Sequence, residues 1–204
     1  PDGSIYTFLT QTTPAPPAGY LGDPTVAGPV TGGPIVDQRL QTSVSGVFSC
    51  GNVLHVHDLV DEVSAESMEA GLQAARHALG KQGGLKKQGD QANAVPIRDG
   101  AGVRGVVPQL LSQPLADDRQ AQVTGPLKLS FRPTAVFKPA LLTVRWQGQV
   151  LVSQRRRILT PGELCMVTIP ATAIQPILAA GTGELVVSVE AADQKSSGEE
   201  THHV

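Results

Sequence analysis

The 204-residue chain is 40% hydrophobic and 17% charged, carries a formal net charge of −2, and holds only seven aromatic rings. Rings this sparse exclude single-stranded nucleic-acid binding through stacking platforms, and the near-balanced charge excludes an overall basic field for duplex DNA. There is no apolar run of about eighteen residues, so no membrane span is expected. Cys50 and Cys165 lie far apart in sequence and form no disulfide framework, CxxC pair or zinc set.

The chain begins Pro1-Asp2-Gly3-Ser4, without Met and without a basic, then apolar, leader. No signal peptide is expected, and the chain reads as processed or as part of a longer, cytoplasmic polypeptide. Charge is uneven: residues 1–80 hold two bases and eight acids, residues 81–204 fourteen bases and ten acids. With the Gly and Pro usage, this predicts at least two units.

Residues 1–34 hold seven prolines and six glycines. Such a stretch cannot bury enough side chain to offset its ordering entropy, so it is expected as loop or disordered, apart from a short strand around Ile5–Leu9. Thr31-Gly32-Gly33-Pro34 signals a turn, Ile35-Val36-Asp37 a short strand. Val47–Cys50 reads as a buried strand after a turn at Ser45-Gly46, broken by Gly51-Asn52. The spacing of Met68, Leu72, Ala75 and Leu79 predicts a helix over Ser64–Leu79, with Ser64 as N-cap, acids in its first turns and Gly80 as stop. The expected unit over 35–80 is thus α/β, strand–turn–strand–helix.

Residues 81–122 read as a linker, with an extended, apolar stretch at Val95–Pro108. Beyond about Val123 the pattern turns to period two. Leu127–Phe131, Leu141–Trp146, Gln149–Arg157, Glu163–Ile169 and Glu184–Glu190 are predicted strands, with tight turns at Gln147-Gly148 and Pro161-Gly162. They predict a small all-β, antiparallel, sandwich-like module over 123–191, with Trp146 in its core. Residues 192–204 are expected as a disordered tail.

Chemistry concentrates in Thr42-Ser43-Val44-Ser45-Gly46-Val47-Phe48-Ser49-Cys50-Gly51-Asn52-Val53. A glycine at the end of a buried strand lets a ligand approach the backbone. Asn52 beside it can hydrogen-bond a sugar or ribityl hydroxyl, and a following helix N-terminus offers unpaired N–H groups to an anion. His55, His57, Asp58 and Asp61 form H-x-H-D-x-x-D. Two readings stand: a metal site, since imidazole suits Zn or Fe, or loop residues that fix the turn into the helix. The second is favoured, because no Cys or Glu follows at a fitting spacing. Cys50 reads as a small buried hydrophobe rather than a redox thiol. Arg155-Arg156-Arg157 reads as a solvated strand edge rather than an anion site. Ser49 and Ser64 have no His/Asp partners in any triad motif.

The Thr42…Val47-Phe48-Ser49-Cys50-Gly51-Asn52 string resembles the second FAD-binding motif of the pyridine nucleotide-disulfide oxidoreductase superfamily. The longer run, from Thr31-Gly32-Gly33-Pro34 to His55-Val56-His57-Asp58-Leu59-Val60-Asp61, is similar to a bacterial subgroup associated with glycerol 3-phosphate dehydrogenase-type systems. The resemblance is close over residues 28–80 and looser over 95–191, where the subgroup carries a β-rich extension. It implies that residues 35–80 are the C-terminal piece of an FAD-binding domain, with Ala70-Gly71 and Ala74-Ala75 letting its last helix pack. It further implies FAD contacts from Thr42, Gly51, Asn52, Val53 and the backbone N–H groups of Val63, Ser64 and Ala65, with His55 and His57 near the flavin. NAD(P)H would be the co-substrate, and an acceptor or partner dehydrogenase would take the electrons. Two departures matter. The superfamily's Asp is Asn52 here, and no GxGxxG follows a strand; Gly100-Ala101-Gly102-Val103-Arg104-Gly105 has the wrong spacing. The chain is therefore expected to be inactive alone, completed by a missing N-terminal portion or partner subunit. The alternative is a non-catalytic β-sandwich interaction module or a subunit carrying an incomplete flavin site.

Overall fold

The computed structural model describes residues 8–9, 32–80, 94–112 and 125–192. Most of the expected Pro/Gly-rich loop, the Gly/Gln/Lys-rich part of the linker and the C-terminal tail lie outside the described residues. Strand β1 (Phe8–Leu9) falls within the predicted Ile5–Leu9 strand and runs parallel to β2 (Phe48–Ser49). A 3-10 turn (Gly51–Val53) and helix α1 (Val60–Gly80) follow.

Nine further elements follow among the described residues. They begin with β3 (Val95–Asp99), β4 (Val103–Val107), β5 (Leu110–Leu111), β6 (Leu127–Pro133) and β7 (Ala140–Trp146). Then come β8 (Gln149–Arg156), β9 (Cys165–Ile169), helix α2 (Ala171–Ala180) and β10 (Leu185–Ala191). One sheet has the order β5-β3-β10-β7-β8, the other β4-β6-β9. Leu127, Leu129 and Phe131 point inward along β6 while Lys128, Ser130 and Arg132 point away, the alternation that a half-buried strand imposes. Inward residues of both sheets merge into one core, closed by Ile174, Ile177 and Leu178 of α2. The β7–β8 turn has positive φ at both Gln147 and Gly148, the geometry that suits the twist of a two-residue hairpin. Arg155 and Arg156 lie exposed on β8, an edge strand, as the solvated-edge reading expects. Trp146 is half-buried against the core, and its Nε1 donates to Thr182 O at 3.1 Å.

The expectation of an all-β module confined to 123–191 is corrected in two ways. First, α2 lies between β9 and β10. Its buried residues Ile174, Ile177 and Leu178 keep helical i, i+3, i+4 spacing, but the segment is only ten residues long and contains Pro176, which argues against a helix. It ends at Gly181, whose φ of 60° and N–H bond to Ile177 O form a left-handed cap. Second, the strands predicted over 123–191 do pair antiparallel, but the module is not confined to them: β3, from the expected linker, adds to the sheet parallel to β10. The extended Val95–Pro108 stretch is therefore paired: β3 joins the five-stranded sheet and β4 the three-stranded one.

Helix α1 begins four residues before the predicted start. Ser64 is not its N-cap: the hydroxyl donates to Val60 O at 2.9 Å, within the helix. The buried face is also not the predicted one. Met68, Leu72 and Leu79 are 76%, 47% and 73% exposed, and Ala75 is exposed, whereas Ala70 and Ala74 are 0% and 5% exposed. Small residues let the helix backbone approach its neighbours closely, and that close approach selects the face. Leu72→Glu is expected to shift unfolding stability by no more than about 0.5 kcal/mol. Ala74→Leu is expected to cost about 1–3 kcal/mol by overpacking. Urea denaturation of the two variants checks both.

Residues 35–58 are tied to the β sandwich by paired polar groups. Val36 O accepts from Gln109 N and Leu110 N, and Val36 N donates to Gln109 Oε1. The Gln38 amide donates to Ser112 O at 2.7 Å and accepts from Ser112 N at 2.8 Å. Asp58 accepts from Leu164 N and pairs with Arg132, whose guanidinium also donates to Val56 O and Gly162 O. The Leu164 N–H, then the Arg132 guanidinium, hold the Asp58 carboxyl below its ordinary value. A lowered folded-state value adds stability above the ordinary carboxylate range and loses it as pH falls through that lowered value. Asp58→Asn is expected to be less stable at neutral pH by under about 1 kcal/mol, since solvent screens this site. In urea titrations across acid pH, the gap from the unsubstituted chain should close.

Candidate functional site

The site is built on a hairpin. Leu40 adopts a left-handed φ of 62°, and the buried Asp37 carboxylate holds that bend by accepting from Arg39 N, Gln41 N and the Arg39 guanidinium. Thr42 N donates to Val47 O, and the Thr42 hydroxyl accepts from Val44 N and donates to Val44 O. This local closure turns the chain at Gly46 and delivers β2 to Cys50 and Gly51. Gly51 has φ 76°, a conformation that favours glycine, and Val63 of α1 packs over it.

After the 3-10 turn, the chain loops through His55 and His57 into α1. Asn52 Oδ1 accepts from His57 N at 3.0 Å and faces His57 Nδ1 at 3.2 Å. Glu66, one turn and a half into α1, reaches back to this loop. Its Oε1 accepts from Gly51 N at 2.5 Å, and its Oε2 lies 3.1 Å from His55 Nε2 and 3.3 Å from His57 Nε2. The side chains of His55, His57 and Glu66 are 7%, 4% and 15% exposed. The two imidazole rings lie 4.3 Å apart between centroids. Burial alone would raise the Glu66 carboxyl, but the His55 hydrogen bond, the Gly51 N–H and the charges of both imidazoles hold it below the ordinary carboxylate value. Burial, with the nearby Glu66 charge, pushes the Cys50 thiol up against a partly opposing Ser67 hydrogen bond, as suits a buried hydrophobe rather than a reactive thiolate.

The structure thus brings Gly51, Asn52 and Val63 together with His55, His57 and Glu66. Thr42 sits in the hairpin that leads to them. Val53 packs against the small core of Val36, Leu54 and Ala70. Ser64 and Ala65 are exposed on α1, and Val63 N donates to Leu59 O at 3.4 Å. The absence of a third ligand near H-x-H-D-x-x-D is corrected: Glu66 supplies the carboxylate, brought by the helix rather than by local spacing. A signal for it exists in the sequence. Glu66, Ala70 and Ala74 recur every four residues, so the acid lies on the small-residue face that turns inward. Asp58 leaves the cluster for Arg132, and Asp61 is exposed.

Chemically, the cluster is two imidazole nitrogens converging on one carboxylate oxygen in a mostly dry setting, able to hold a cation or to share protons. Glu66→Ala is expected to cost about 1–3 kcal/mol, because it strips the acceptor from the Gly51 N–H. Glu66→Gln keeps an oxygen for that N–H and is expected to cost less. Paired urea unfolding curves check the order. Comparison of the chain with protein-family models, curated proteins and solved structures finds no match, so the reading of this site rests on its own residues and geometry.

Proposed function

We propose that this chain is the C-terminal part of an FAD-dependent oxidoreductase, moving electrons between NAD(P)H, FAD and an acceptor or partner dehydrogenase. The observation that carries the reading is the Gly51 turn. A short strand, parallel to β1, leads two residues on into a glycine of left-handed φ, and a helix that begins nine residues after it places Val63 against that glycine. A left-handed glycine at a strand end lets a ligand approach the backbone, as the resemblance of Thr42…Gly51-Asn52 would require for a dinucleotide. Thr42, Gly51, Asn52, Val53 and the first turns of α1 would line the flavin side, and FAD would supply the hydride-accepting ring. The positive end of α1 favours negative charge beside it. The β sandwich, tied to this unit through Asp58–Arg132 and Gln38–Ser112, would orient it against a partner subunit or a missing N-terminal portion.

A specific observation favours a second reading. The Gly51 N–H is already taken by Glu66, and Asn52 Oδ1 by His57 N–H. Donors and acceptors that are satisfied internally are poorer ligand contacts, which suits a non-catalytic interaction module with an incomplete flavin site.

Gel filtration after incubation with FAD separates the two. Under the first reading, flavin absorbance co-elutes with the chain. Asn52→Asp, which restores the superfamily's carboxylate while keeping the acceptor for His57, should then tighten binding about fivefold, the equivalent of about 1 kcal/mol for a charged acceptor. A folded chain that carries no flavin, with or without that substitution, overturns the first reading for this chain by itself and favours the second.

A further inference from the structure

We propose that His55, His57 and Glu66 form a binding site for one divalent transition-metal ion of the zinc class, independent of any flavin. The first support is spacing. Metal–ligand bonds of about 2.0–2.1 Å at tetrahedral angles place neighbouring donor atoms about 3.3 Å apart. Glu66 Oε2 lies 3.1 and 3.3 Å from the two Nε2 atoms, and one donor atom from each of the three residues falls within 4.8 Å of the others.

The second support is the direction of lone pairs. Asn52 Oδ1 is identified as oxygen because it accepts the backbone N–H of His57. The same oxygen faces His57 Nδ1 at 3.2 Å, so Nδ1 is the ring's donor. With Nδ1 turned to Asn52, His57 Nε2 is the ring nitrogen that faces Glu66 Oε2, 3.3 Å away and largely shielded from water, so both atoms can direct a lone pair at one shared ion. An acceptor on the far side of the ring is also the arrangement that orients metal-binding histidines. His55 brings a second nitrogen to the same oxygen, which completes a two-histidine, one-carboxylate set of borderline ligands and leaves positions for water or substrate. Imidazole ligates a metal in its neutral form, so the ligand set with one carboxylate matches a divalent ion electrostatically.

Calorimetric titration of the chelator-stripped full chain with Zn2+ tests this. The expected result is one Zn2+ per chain, bound about tenfold or more weakly by both His57→Ala and Glu66→Gln. Binding should be unchanged when His202 and His203, the other closely spaced histidines, are both replaced by Ala. Glu66→Gln keeps the acceptor for Gly51 N–H, so its metal-free urea midpoint should stay close to that of the unsubstituted chain. A Zn2+-dependent rise in that midpoint, present in the unsubstituted chain and lost in His57→Ala, is the second readout. The proposal is overturned if the unsubstituted chain takes up no Zn2+, if either site variant binds as tightly, or if binding is lost only with His202 and His203.

Discussion

A carboxylate taken out of water is costly unless its oxygens are met by donors or a cation, and the N-terminal part of this protein is arranged around meeting those of Glu66. One oxygen takes the Gly51 N–H, so the turn after β2 and helix α1 are held to one another. The other oxygen gathers both imidazoles. The helix can bring its acid this close because the residues one and two turns further along the same face are Ala70 and Ala74. A larger side chain there would hold the helix away from the loop and leave the charge without partners.

The same loop faces the β sandwich on its other side. His57 is placed by Asn52, and the next residue, Asp58, is placed by Arg132 and Leu164. A single tripeptide thus couples the buried cluster to β6 and to the segment before β9. The Val36–Gln109 and Gln38–Ser112 pairs do the same at the hairpin end, with backbone groups satisfied across the junction rather than within either part. The sandwich is consequently more than an appendage by geometry: it fixes the loop that carries both histidines.

The flavin and metal readings draw on different atoms of one neighbourhood. The first uses the backbone at Gly51 and the positive end of α1; the second uses imidazole and carboxylate groups that lie behind that turn. Asn52 belongs to both, as a ribityl contact in one and as the acceptor that orients His57 in the other. Among the described residues, no helix is long and apolar enough to cross a membrane, which agrees with the composition.

By itself, the sequence determined the elements whose geometry is local. Period-two alternation located β6 to β10 within a residue or two of their observed ends. Gln147-Gly148 marked the hairpin, and the 3.6-residue pattern after the histidines marked α1, because these signals follow from backbone twist and side-chain direction alone. Tertiary structure decided what depends on neighbours. It chose the Ala70–Ala74 face of α1 over the more apolar Met68–Leu72–Leu79 face, because close approach demanded small side chains. It made α2 a helix by seating Ile174, Ile177 and Leu178 in the sandwich core although Pro176 interrupts the segment, and it carried Glu66 to His55 and His57. No spacing rule along the chain encodes that last meeting, since it needs a turn at Gly51, a loop held by Asn52 and a helix packed back over both.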